Sequence, residues 1–262
     1  MQHTFTDQLS RNILLPDIPL HIISLVPSQT ELLFDLGLGH LIVGITKFCV
    51  HPANLVKDKI KVGGTKKLNI DLIRSLKPDL IIGNKEENER SQIETLMQEF
   101  PVWMSDIANL PEALEMIRGI GLLTKTEDKA HAIALEIEDR FNSLLPIKKS
   151  LQVAYLIWQE PYMVAGQGTF INDMLQRCGF INVTKQERYP NVTVDNLQQA
   201  NPNVIMLSSE PYPFKQRHME AFAAMIPGAK VILVDGEMFS WYGSRMLLAV
   251  QYFEKLVANL NG

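Results

Sequence analysis

The chain has 262 residues, 46% hydrophobic and 21% charged, with a formal net charge of −4 at pH 7. That is the balance of a folded globular protein with room for one large domain or two lobes. It has no long Lys/Arg run to meet a phosphate backbone and no apolar stretch near the roughly 20 residues that span a bilayer, which argues against nucleic acid or membrane as a direct partner.

The start, MQHTFTDQLSRNILLP, lacks the basic segment and apolar run of an export signal. The chain is expected to be cytoplasmic if Met1 is the native start, and periplasmic or cell-surface if an export segment is missing from it. HIISLVPS then reads as a strand. SQTELLFDLGLG follows as a helix, with Ser28 and Glu31 spaced as a capping box and Gly37 and Gly39 at its end. LIVGIT is the next strand. IDLIRSL is a short helix stopped by Pro78, and DLIIG is a buried strand. The charged run NKEENER reads as a helix start with a solvated face. SQIETLMQEF is a helix and PVWMS a strand. This alternation predicts a parallel sheet with helices on both faces.

From about Leu110 to Leu145 the period is helical throughout, and Thr126 to Leu145 is expected as one helix of roughly 30 Å. The alternation then restarts: LQVAYLIW strand, FINDMLQRCG helix, VDNLQQA helix, NVIMLS strand, RHMEAFAAM helix, KVILVDG strand, SRMLLAVQYFEKLVANL helix. The expected fold class is α/β, with two Rossmann-like lobes on central parallel sheets. The lobes fall at 1–125 and 147–262, a backbone helix over 126–146 joins them, and a ligand cleft lies between them.

One phrase occurs in both lobes. NIDLIRSLKPDLIIG at 69–83 and TVDNLQQANPNVIML at 193–207 share the order cap, acid, helix, Asn or Lys, Pro, strand. Asp71 of the first aligns with Asp195 of the second. Two acids on equivalent helices suit a partner with two-fold pseudosymmetry, and they equally suit the positive ends of the helix dipoles.

Enzymatic motifs are missing. No G-x-G-x-x-G follows a strand, and there is neither a phosphate-binding loop with its Lys nor a G-x-S-x-G elbow. Ser208, Ser209 and His218 lack an acid to complete a triad. The chain is read as a non-enzyme with no catalytic cofactor. Cys49 and Cys178 make no disulfide framework. Cys49 and His51 alone do not make a metal site, and read better as a buried thiol and a turn residue before Pro52.

The stretches PSQTELLFDLGLG, LIVGITKFCVHP and KVGGTKKLNIDLIRSLKPDLIIG resemble the ABC-importer substrate-binding proteins that use one helix as a backbone between lobes, which carry cobalamin, haem or iron–siderophore complexes. TKFCVHP makes the cobalamin branch the nearest. The resemblance implies a monomer that delivers a cobalt corrinoid, or alternatively haem or a ferric chelate, to a permease dimer, its only link to the membrane. It implies that Asp71 and Asp195 dock on that permease, and that Glu237 contacts ligand. The alternative is a cytoplasmic carrier or sensor built on the same fold.

Ligands of open α/β folds sit beyond the carboxyl ends of the strands. Aromatic residues fall there repeatedly: Phe48, Trp158, Tyr162, Tyr189, Tyr212, Phe214, Phe239, Trp241 and Tyr242. Flat faces of this kind suit a corrin or porphyrin, and ordinary loop packing is the alternative. Arg245 is expected to grip an anionic or amide group on the ligand. Lys66 and Lys67 stand in a Gly-rich loop where cobalamin-binding relatives often carry an aromatic. That departure suits a ligand with negative groups, or a solvated surface.

Overall fold

The hairpin β1 (His3–Thr6) and β2 (Asn12–Leu15) opens the described chain, residues 3–261 of a computed structural model. The chain then enters β3 (Ile22–Ser24), α1 (Pro27–Asp35), β4 (Ile42–Ile45), the short α2 (Ala53–Val56) and a small hairpin of β5 (Gly63–Gly64) and β6 (Lys67–Leu68). After it come α3 (Ile70–Leu76), β7 (Leu80–Asn84), α4 (Arg90–Met97) and β8 (Val102–Ser105). Strands β4-β3-β7-β8 form one sheet in that order, every pair parallel. Their apolar residues, Ile23, Ile81 and Val102 among them, are buried together with Ile73 and Leu96 of the helices. Strands covered in this way read as continuous apolar runs.

Two helices follow, α5 (Leu110–Thr124) and α6 (Glu127–Ser143). Lys125, in the left-handed region at φ 54°, separates them. The remainder comprises β9 (Gln152–Trp158), β10 (Tyr162–Val164), α7 (Phe170–Arg177), β11 (Ile181–Asn182), β12 (Asn191–Val192), α8 (Val194–Ala200), β13 (Val204–Ser208), α9 (Gln216–Met225), β14 (Lys230–Val234), α10 (Gly236–Ser240) and α11 (Met246–Asn261). Strand order in this second sheet is β12-β10-β9-β13-β14, with β11 beside β9. Strands β9, β11, β13 and β14 run parallel, while at one edge β10 pairs antiparallel with both β9 and β12.

The chain divides into two units by contact. The first takes residues up to Asp106, Pro111–Glu138 and the short segment Tyr242–Arg245; the second takes Ile107–Leu110, Asp139–Trp241 and the chain from Met246. Both units are α/β with a largely parallel sheet, as expected. Two local readings need correction. The Ser28/Glu31 capping box does not form: the N-cap is Val26, Pro27 occupies the first turn, and no side chain caps the helix. Proline suits that position because its missing N–H would be unpaired there anyway. NKEENER is the end of β7 and a loop, with α4 starting only at its last residue.

Candidate functional site

Each strand of the first sheet ends in a polar residue that is buried: Ser24, Thr46 just past β4, Asn84 and Ser105. They bond to one another and to α1. Thr30 Oγ1 donates to Ser24 Oγ at 2.7 Å, Gln29 Nε2 to Ser105 Oγ at 2.5 Å, and Asn84 Nδ2 to Ser105 Oγ at 3.0 Å. Buried polar groups of this kind hold position because an unmade bond costs more than a made one gains. The layer fixes the carboxyl edge of the sheet. Cys49 lies within it, with Sγ 3.0 Å from Thr30 Oγ1 and 3.2 Å from Thr46 Oγ1, and burial pushes its thiol pKa up.

Phe48 and Lys66 stand on this edge. Phe48 is 50% exposed, and the Lys47 ammonium lies 5.0 Å from its ring centroid. Lys66 is at the exposed tip of the β5–β6 hairpin.

In the second unit, Trp158 ends β9 at 39% exposure and meets Tyr212 edge-on, ring centroids 5.7 Å apart. Tyr212 continues to Phe214 and His218. His218 Nδ1 accepts from Lys215 N at 2.7 Å, and Nε2 faces Tyr212 Oη at 3.4 Å and the Arg217 Nε donor at 3.2 Å. Burial, then the Arg217 and Lys215 charges, hold His218 below the usual imidazole range. Tyr162 packs on Phe222, and Tyr189 is half-buried just before β12. Glu237 is half-buried in the first turn of α10.

Four expected ligand-facing aromatics are buried: Phe214, Phe239, Trp241 and Tyr242. Phe239 is fully enclosed between Tyr155 and Phe253, at centroid distances of 5.0 and 4.8 Å, and has no surface to offer a ligand. Trp241 is buried, and its indole N–H donates to Glu210 Oε1 at 2.8 Å, alongside Ser240 Oγ at 2.6 Å. Tyr242 is buried as well. Arg245 was expected to grip a ligand, but its Nε and Nη2 donate to the two carboxylate oxygens of Glu31. From sequence, Glu210 and Lys47 have no role and Glu31 reads only as a capping residue. Only Lys47 carried a local signal, its place beside Phe48 after a strand.

The repeated phrase folds alike in both units. Asn69 and Thr193 cap α3 and α8 through their side chains, on Leu72 N and Asn196 N. Both helices end in the left-handed region, at Lys77 (φ 48°) and Asn201 (φ 46°), before Pro78 and Pro202. The next residue then locks an incoming parallel strand. Asp79 N donates to His21 O at 3.0 Å, and its carboxylate accepts from His21 N at 2.9 Å. Asn203 N donates to Gln152 O at 2.8 Å, and Asn203 Oδ1 accepts from Gln152 N at 2.8 Å. Asp71 and Asp195 are exposed in the first turns of these helices. The Asp71 side chain, 92% exposed, accepts from Arg74 at 3.0 Å. Arg74 also grips Glu99, and that hydrogen bond holds the Glu99 carboxyl below its ordinary range.

Among the described residues no group of three or more His, Cys, Asp or Glu is placed to hold a metal, and no helix is long and apolar enough to cross a membrane.

A family model for periplasmic binding proteins matches residues 22–225. The chain is 24% identical over 242 residues to the vitamin B12-binding protein of Pectobacterium carotovorum, covering 89% of this chain and 87% of that one. Its fold matches the periplasmic vitamin B12 binding protein of Vibrio cholerae with a TM-score of 0.75 at 23% identity, over 92% of this chain and 97% of that one. It matches the apo periplasmic heme-binding protein of Roseiflexus sp. RS-1 with a TM-score of 0.79 at 19% identity, over the same shares of each chain.

Proposed function

Because this chain belongs to the periplasmic binding protein family, we propose that it is the substrate-binding component of an ABC importer. Its ligand is a metal chelate with a flat face, a cobalt corrinoid first and haem or a ferric chelate second, and it is a carrier rather than a catalyst. The observation that carries this reading is Trp158. Its indole ends a parallel strand, stays well exposed, and is braced edge-on by Tyr212. An aromatic held at a strand's carboxyl end with its body open to solvent is a surface for a flat partner. The vitamin B12-binding and heme-binding proteins that this chain resembles support the choice of chelate.

Delivery is proposed to run through Asp71 and Asp195. The two helices present their acids in the same local frame, which suits a permease of two similar halves.

The test is a spectral and calorimetric titration with cobalamin, cobinamide, haemin and ferric siderophores. Micromolar or tighter binding of one class is the expected result. No heat and no spectral change with any of them overturns the reading.

A further inference from the structure

We propose that Lys47, Phe48 and Lys66 of the first unit form an anion-binding aromatic subsite that takes a carboxylate-bearing edge of the ligand. This deepens the proposed function and rests on it: it names the charge of the chelate that this chain prefers.

The subsite is built, and not a chance grouping of surface lysines. Lys47 and Phe48 leave the carboxyl end of β4, and Lys47 N donates to Gly63 O at 2.8 Å, tying that end to the β5–β6 hairpin. The Phe48 ring lies over Gly64. A Cβ at Gly64 would stand 3.2 Å from Phe48 Cε2 and 3.3 Å from Lys47 Cε, so the missing side chain is what admits this close approach. The hairpin itself is clamped from the far side. Asn88 Nδ2 donates to Thr65 O at 3.2 Å, Gln92 Nε2 to Lys66 O at 2.9 Å, and Leu68 N to Gln92 Oε1 at 2.7 Å. Much of the ordering cost of presenting Lys66 is therefore met before any ligand arrives.

The Lys66 ammonium donates to the Glu86 carbonyl, which turns it toward the loop after β7 at the carboxyl edge of the sheet. An ammonium has three donors, and a single carbonyl occupies one of them. Burial raises the Glu87 carboxyl pKa against the opposing pull of Lys66, and the Lys85–Asp106 pair at 2.5 Å is closed on itself. An exposed ring with the Lys47 ammonium over it, packed on the hairpin whose tip carries Lys66, offers a flat face and positive charge for an anionic edge, where an aromatic in place of Lys66 would add only a face.

The experiment compares matched ligands that differ only in carboxylates: haemin against its dimethyl ester, and cobyrinic acid against its methyl ester. In whichever pair binds, the free acid is expected to bind roughly tenfold tighter or more, with the ratio shrinking as KCl rises from 50 to 500 mM. Lys47→Met with Lys66→Met is expected to bring the ratio to about one by weakening the acid alone, and Lys66→Arg to preserve it. Equal binding of acid and ester by the unaltered protein overturns the subsite and leaves the importer reading standing. A double variant that loses acid and ester equally also overturns it, since the lysines would then only shape the surface. If no chelate of either pair or of the broader panel binds, both readings fall.

Discussion

Arg245 forms a bidentate ion pair with Glu31, at 2.8 and 2.7 Å, across 214 residues of sequence. The side chains are only 8% and 13% exposed. Beside the pair, Gly243 lies against the first turn of α1, where a Cβ would be 3.2 Å from Ser28 O. Arg245 thus anchors the segment ahead of α11 to α1.

Removing one partner leaves a buried charge without its counterion. Arg245→Met is expected to destabilise by about 3 kcal/mol or more, whereas Glu31→Gln with Arg245→Met recovers most of that loss. Urea denaturation of the two single variants and the double variant checks this. A double variant as unstable as the sum of the singles would show that the pair carries no coupling.

The proposed docking role of Asp71 and Asp195 can be tested apart from binding. Asp71→Lys with Asp195→Lys is expected to abolish uptake by the cognate importer and to leave chelate affinity unchanged. Both side chains are exposed, so the melting temperature should move by less than about 3 °C. Full uptake by the double variant would reduce both acids to helix-start residues.

The two tryptophans at strand and helix ends should behave oppositely. Trp158→Ala is expected to weaken chelate binding by at least about 1 kcal/mol, roughly a fivefold rise in Kd. Trp241→Phe should leave affinity unaltered and lower stability by about 1 kcal/mol, because it removes a hydrogen bond from Glu210. Titrations and melts on both variants distinguish the two sites.

Buried acids predict an alkaline limit. Burial pushes the Cys178 thiol up to about 12 and raises the Cys49, Tyr252 and Tyr155 pKa values, the last well above its ordinary value. Above the unfolded thiol's pKa of about 8.5 the native state holds protons that the unfolded chain releases, so stability falls with rising pH toward 12. Denaturation midpoints should decline steadily across pH 9 to 11. At pH 8 neither cysteine should react with a thiol reagent until the protein is unfolded.

Left-handed cap residues give the last prediction. Lys77 and Asn201 occupy the same conformation, but asparagine tolerates it better than lysine. Lys77→Gly is therefore expected to stabilise by roughly 0.5–1 kcal/mol, and Asn201→Gly to be close to neutral. Equal effects at the two sites would contradict this account.

What the sequence by itself determined was whatever local chemistry decides. The α3 and α8 modules were legible because a cap, a first-turn acid and a stopping proline act within one short segment. The parallel strands were legible because strands covered on both faces must be apolar throughout. Tertiary structure alone decided the rest. The pairs β5–β6 and β10–β12 have two or three residues per strand, too few to show alternation, and β10–β12 exists only because chain from beyond α7 supplies a partner. Glu31 looked like a capping residue because Ser28 stands three positions before it. Only the folded chain brings Arg245 to it, and a buried ion pair outweighs a cap that Pro27 and Val26 had already displaced. The aromatics after the strand ends looked equivalent in sequence. Packing divides them, enclosing Phe239 and Trp241 and leaving Phe48 and Trp158 open, because exposure depends on which neighbours arrive from elsewhere in the chain.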